Sequence, residues 1–348
     1  KIKGILFFLL LLSLLVIFPF PTSRETVLNV TWEDRIVTGY GGDEPLSDPV
    51  LPFTLNGSFG YVDTEGNLSP VYPIHYGVAL TDDRYISYAN VQNSLVVRDR
   101  DGAVAGMIEN SGYPIYHDGR LFLIATDRMG ITEATPDGDI LWTREFSSVI
   151  SSFDSSGDAC GVGLLNGRFH LIDAKGADIF SYETSGSRVL AVYGCAVSSD
   201  NSLIGIVSGL DPQRLVVLEN RNSAYKPVRG FNLDHQYRKR VFIDFSPDGT
   251  YLYYESPAGL NFLEVKGKKE AVIPFSGRLS GLILSGPASV SGLISRGENT
   301  AELCFFSPEG TVIYDRVLGG TDPFMGTLSG LFILGTDDML AAVSAEVR

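Results

Sequence analysis

The sequence predicts an all-β ring of seven blades, each a four-stranded antiparallel sheet, and three observations carry that prediction. First, β-rich runs are interrupted at intervals of about forty residues by a four-residue turn, the signature of a circular or stacked array. The turns are Thr64-Glu65-Gly66-Asn67, Asp99-Arg100-Asp101-Gly102, Thr135-Pro136-Asp137-Gly138 and Asp173-Ala174-Lys175-Gly176. A degenerate copy at Glu219-Asn220-Arg221-Asn222 precedes Glu264-Val265-Lys266-Gly267 and Ser307-Pro308-Glu309-Gly310. Second, another turn leads each of these within its unit, as at Thr81-Asp82-Asp83, His117-Asp118-Gly119 and Ser246-Pro247-Asp248-Gly249. Two turns per unit imply four strands, and Gly, Asp and Asn supply the positive φ that tight antiparallel connections demand. Third, the C-terminus supplies two strands, residues 330–334 and 340–347, and the domain opens with an apparent missing pair, residues 58–62 and 68–72. Joining these pairs closes a seven-bladed β-propeller, about 43 residues per blade.

The elements follow in order. Residues 4–18 carry no charge and end against Pro19 and Pro21. The run is near the lower limit for spanning a hydrocarbon layer of ~30 Å, and is expected to form one N-terminal transmembrane helix. Its exit lacks a small-x-small cleavage site, so residues 1–21 are read as a signal-anchor, with a cleaved secretory signal as the alternative. Lys1 and Lys3 place the N-terminus in the cytoplasm and the remainder outside, in a periplasm. Residues 22–52 read as an acidic, Gly- and Pro-containing linker with a short strand possible at 26–30, and residues 53–348 as the propeller. The sixth unit shows the blade pattern best: strands at 241–245, 251–255, 260–265 and 271–275.

Phe245-Ser246-Pro247-Asp248-Gly249-Thr250-Tyr251-Leu252-Tyr253 resembles the WD40-like repeat of periplasmic propellers of the TolB C-terminal-domain type. Leu171-Ile172-Asp173-Ala174-Lys175-Gly176 and Pro136-Asp137-Gly138-Asp139-Ile140-Leu141-Trp142 resemble the repeat of PQQ-like, BamB-like propellers. The resemblance implies the blade fold and an envelope setting. Against quinone chemistry, residues 53–348 hold one Trp and not one per blade.

Composition excludes some functions. Asp plus Glu exceed Lys plus Arg by 41 to 27, a net charge of −14, which disfavours nucleic-acid binding. Cys160, Cys195 and Cys304 lack C-x-x-C spacing and sit in apolar runs, so they read as core residues. The four histidines show no i, i+2 or i, i+4 pairing, so no metal site is expected, nor any cofactor. No nucleophile elbow or phosphate loop occurs, and no catalytic residue is assigned.

Loops that enter the innermost strands concentrate Tyr, Trp, His and Arg, residues suited to interfaces. Tyr72, His75, Tyr76, Tyr113, Trp142, His235, Tyr237, Arg238, Lys239 and Arg240 are therefore the expected partner contacts. Residues 214–269 hold ten of the 27 basic residues against six acidic ones, a local positive excess. The expected function is a non-catalytic protein–protein scaffold that binds another envelope or membrane protein. The alternatives are a hydrolase or lyase whose His75, His235, Asp234 and Asp322 converge at the channel mouth, and a small-ligand sensor.

Overall fold

The second strands of the sheets show why this chain makes blades. Ser58–Asp63, Ala159–Leu164 and Leu203–Leu210 are buried at every position. The outer strand Asp178–Glu183 is exposed at alternate positions. A strand packed on both faces has to be apolar or small throughout, whereas a rim strand needs only one apolar face. The computed structural model describes residues 26–39, 46–90, 92–222, 224–284 and 290–347. These form eight sheets.

The ring is therefore an eight-bladed propeller, and the expected count of seven is corrected. Blade 1 is Val50–Leu55, Ser58–Asp63 and Tyr72–Pro73, three strands only. Blade 2 runs from Gly77–Leu80 to Val104–Ile108, blade 3 from Tyr113–His117 to Ile140–Glu145, and blade 4 from Ile150–Ser156 to Asp178–Glu183. Blade 5 runs from Val189–Val197 to Ala224–Asn232, blade 6 from Ile243–Phe245 to Glu270–Ile273, and blade 7 from Arg278–Ile283 to Val312–Gly319. Blade 8 combines Phe324–Leu328, Leu331–Thr336 and Met339–Val347 with Thr26–Arg35 from the start of the chain.

Ring closure by terminal strands holds, but the partners differ from those expected. Thr26–Arg35 pairs antiparallel with Met339–Val347, from Thr26↔Val347 to Arg35↔Met339 with one slip between Val30 and Trp32. The pair 58–62 and 68–72 belongs to blade 1 instead, where Val62 bridges Leu68. The miscount has a physical cause. In blade 8 the connection from third to outer strand is replaced by the two chain ends, so that blade carries no repeat turn. Seven recurrent turns thus serve eight blades.

Blade 1 also runs backwards. Between blades 4 and 5 the inner strands are parallel: Ser152 meets Cys195, and two residues on Val197 N–H donates to Asp154 Oδ2 at 2.7 Å. Between blades 8 and 1 the contacts step in opposite senses. Leu51 fills the space beside Gly326, Phe53 meets Phe324 with ring centroids 6.4 Å apart, and Asn56 N–H donates to Asp322 Oδ2 at 2.9 Å. A four-stranded blade returns the chain to the face it left, and a three-stranded one does not. The reversal is compensated outside the blade. Ile36 N–H donates to Asp338 O, Gly39 N–H to Val71 O, and Ser47 N–H to Asp63 Oδ2, so residues 36–39 and 46–48 are tied to blades 8 and 1.

The span 4–18 lies outside the described residues. Among the described residues no helix is long and apolar enough to cross a membrane.

Blade contacts explain the recurring glycines better than turn geometry alone. Gly176 has φ +80°, and a Cβ there would lie 2.8 Å from the Trp142 ring of the preceding blade. Gly66, φ +94°, meets Trp32 in the same way, and Trp32 Nε1–H donates to Thr64 O at 3.0 Å. Both tryptophans thus pin a turn of the next blade. Trp32→Ala should cost about 2–3 kcal/mol by urea denaturation, since it opens a cavity at the closing strand. Val30→Ala, 63% exposed on the same strand, should change stability by less than about 0.5 kcal/mol. Equal effects of the two would refute this role for Trp32.

Candidate functional site

In blades 2 to 7 the loops entering the inner strands lie on one face, the entry face, and the turns leaving those strands lie on the other. The ten expected contact residues fall into separate groups. Tyr76 and Tyr113 enter blades 2 and 3 and sit together: both hydroxyls donate to Asn90 Oδ1, at 3.0 and 3.3 Å. Tyr88 stands between them, 5.9 Å from Tyr76 and 6.2 Å from Tyr113, each edge-on. Tyr76 remains 54% exposed, and His75 beside it is exposed. Tyr88 and Asn90 escaped the sequence reading because they lie in and just after a second strand and not in an entry loop.

Two expected contacts are structural. Tyr72 packs between Phe59 and Tyr85, with centroids 5.5 and 5.6 Å away. Trp142 is buried, and its Nε1–H donates to Glu133 Oε2 at 2.7 Å. That carboxylate also takes Arg120 at 2.6 Å, a buried bridge. The remaining five, His235, Tyr237, Arg238, Lys239 and Arg240, enter blade 6, half the ring away from blade 2. His235 and Arg238 are exposed. Tyr237 N–H donates to Gln213 Oε1, and the Lys239 ammonium lies 4.5 Å from the Tyr237 ring centroid.

The residues of the hydrolase alternative do not gather in one loop. His75 precedes blade 2, Asp234 and His235 precede blade 6, and Asp322 precedes blade 8. The Asp322 carboxylate is taken by Arg296 at 3.2 Å and by Asn56 N–H. All three cysteines are free and buried, as their apolar settings suggested, and burial pushes their thiols up to about 12.

Sequence reasoning missed a different set, in the channel. The inner strands of blades 3 to 7 enclose a cavity of about 560 Å³ lined by His117, Asp154, Cys195, Arg240, Asp244 and Arg278 among others. His117 Nε2 lies 3.3 Å from Asp154 Oδ1, and its buried Nδ1 has no hydrogen-bond partner among the described residues. Asp154 Oδ2 accepts Val197 N–H, tying blade 4 to blade 5. Asp244 Oδ1 accepts Phe245 N–H at 2.7 Å. Burial pushes both carboxyls up to about 6, aided at Asp154 by Asp118 and at Asp244 by Asp154. Burial likewise lowers the His117 pKa. His117, Asp154 and Asp244 sit on the inner strands of blades 3, 4 and 6, successively 37 and 90 residues apart, and only the ring brings them together.

The raised carboxyls set a pH dependence of stability. The folded state holds protons that the unfolded chain releases above about pH 4, so their contribution is complete below that and is lost as pH rises through about 6. Asp244→Asn keeps the acceptor for Phe245 N–H and removes the repulsion. It should raise stability relative to the parent by on the order of 2 kcal/mol at pH 8, with the gain vanishing near pH 4, in urea titrations at both pH values. A pH-independent difference would contradict the shared burial of the pair.

Comparison with known proteins agrees with the ring. Among solved structures, BamB from Moraxella catarrhalis superposes with a TM-score of 0.63 at 12% identity, covering 91% of this chain and 100% of that one. The computationally designed Ika8 protein gives 0.65 at 11% identity, over 90% and 99% of the two chains. The Dos1 propeller gives 0.60 at 11%, over 91% and 95%. Likeness at such identities speaks for the fold alone. A protein from Treponema pallidum (strain Nichols), described as uncharacterized, is 21% identical over 292 residues, 84% of this chain and 78% of that protein. Residues 2–347 match the family described as beta-propeller protein. The chain belongs to the β-propeller proteins and resembles the BamB-like members of that superfamily.

Proposed function

We propose that this propeller is a non-catalytic interaction scaffold of a cell envelope, binding a protein partner on its entry face through the tyrosine cluster of blades 2 and 3. The observation that carries the reading is the shared anchoring of Tyr76 and Tyr113 on one Asn90 oxygen, with Tyr76 left 54% exposed. Tyrosines held in place this way lose little side-chain entropy on contact, while offering apolar area and a polar tip. Export is supported by the uncharged apolar run 4–18. Arg238 and its neighbours lie across the ring, so a partner touching both groups has to span the channel mouth.

A photo-crosslinking residue at position 76 should capture a protein partner in cells, and one at Lys175, on the opposite face, should not. Capture of the same species at both positions, or none at 76, would remove the entry face as the docking surface. Tyr76→Ala with Asn90→Ala should shift the native complex to the size of the free protein without lowering thermal stability by more than a few degrees. An unchanged complex would place the contact elsewhere.

A further inference from the structure

The channel cavity is sorted by charge along its axis. Lys239, Arg240 and Arg278 stand at or before the first residues of their inner strands, toward the entry face. Lys239 is paired with Glu255 at 2.9 Å, and Arg240 donates to Phe153 O at 3.2 Å. Arg278 has no ion pair among the described residues, and its residue is exposed. Asp154 and Asp244 stand near the ends of theirs, toward the turn face. Neither carboxylate is ion-paired with a lysine or arginine among the described residues. Apolar side chains, Phe242, Leu279 and Leu282, line the wall between.

We propose that this cavity binds a small apolar zwitterion, an α-amino acid or short peptide, with its carboxylate at Arg278 and Arg240 and its ammonium at Asp154 and Asp244. Two half-buried carboxyls, neither ion-paired with a lysine or arginine among the described residues, are costly to ionise together, and a ligand ammonium adds counter-charge beyond what His117 and the more distant Arg240 supply. A guanidinium without a partner offers a two-pronged seat for the other end. The volume lies within the range of small-molecule sites and exceeds one amino acid, leaving room for an apolar side chain or a second residue. His117, Asp118 and Arg240 surround Asp154, and Asp154 and His117 face Asp244. Because the ammonium favours both carboxylates ionised, binding should release protons and tighten as pH rises from about 5 to about 7.

The test is calorimetric titration of the full chain at pH 7.5 with L-leucine, L-phenylalanine, leucyl-leucine, N-acetyl-L-leucine and L-leucinamide. The zwitterions should bind, while N-acetyl-L-leucine and L-leucinamide, each lacking one charge, should bind at least tenfold more weakly. Leucine against leucyl-leucine separates a free amino acid from a peptide. Asp244→Asn and Arg278→Ala should each weaken zwitterion binding at least tenfold, with a wild-type circular dichroism spectrum as the folding control. Absence of heat from every zwitterion at about 10 mM, or equal affinity for the N-acetyl compound, would overturn the proposal, and both readings need only the unmutated protein.

Discussion

Every feature of this ring depends on one antiparallel pairing, Thr26–Arg35 against Met339–Val347. Without it blade 8 has three strands and an open edge, and first blade meets last through side-chain packing and the Asn56 N–H to Asp322 hydrogen bond, with no sheet ladder between them. The pairing links residues more than 300 apart in sequence, so its loop-closure entropy is met only once the other blades are formed. Trp32 fastens the same strand sideways onto blade 1, where it meets Gly66 and Thr64 O. Closure thus acts in two directions, along the sheet of blade 8 and across to its neighbour.

The turn face shows a second use of the same short polar residues. Asp118 accepts Gly157 N–H of the next blade at 2.8 Å, Asp158 accepts Asn201 Nδ2–H at 2.7 Å, and Ser199 donates to Pro247 O at 3.1 Å. Arg84 reaches Asp137 at 3.3 Å, and Arg100 reaches Asp48 at 2.6 Å. Each corner therefore makes its own turn and clips the adjacent blade. Individually such exposed contacts contribute little, but repeated around a ring they oppose sliding of one blade against the next. Much of the chain's acidic excess is in these corners, which is why a net charge of −14 coexists with a locally cationic channel mouth.

Local chemistry was legible in the sequence and long-range accounting was not. The turns at Gly102, Gly138, Gly176 and Gly310 all have positive φ, as read from residue type, and the strands of blade 6 lie close to their expected positions. Blade number failed for reasons no local pattern reveals. Blade 8 hides its turn in the chain ends, and Gly66 belongs to a reversed, three-stranded blade whose spacing imitates the others. The placement of the expected contact residues follows the same division. Tyr76 and Tyr113 were visible as aromatics in entry loops, whereas Tyr88 and Asn90 become partners only when two blades pack. Trp142 and Tyr72 had the same composition signal and pack against the next blade, at Gly176 and Tyr85.

The channel residues carry that division furthest. His117 reads as part of the turn His117-Asp118-Gly119, Asp154 lies in the serine-rich strand Ile150–Ser156 and Asp244 lies inside Ile243–Phe245, so no motif joins them in the sequence. Their proximity follows from parallel inner strands packed in a ring, which repeats one height of the channel once per blade. A polar residue at the same height in blades 3, 4 and 6 thereby becomes a cluster without any sequence motif. Rigid closure then holds the two carboxyls together despite their repulsion, since neither strand can shift without losing its sheet bonds and its clips to both neighbours. The ring supplies the free energy that keeps two like-charged groups together, with His117 and two backbone N–H groups offsetting part of their repulsion.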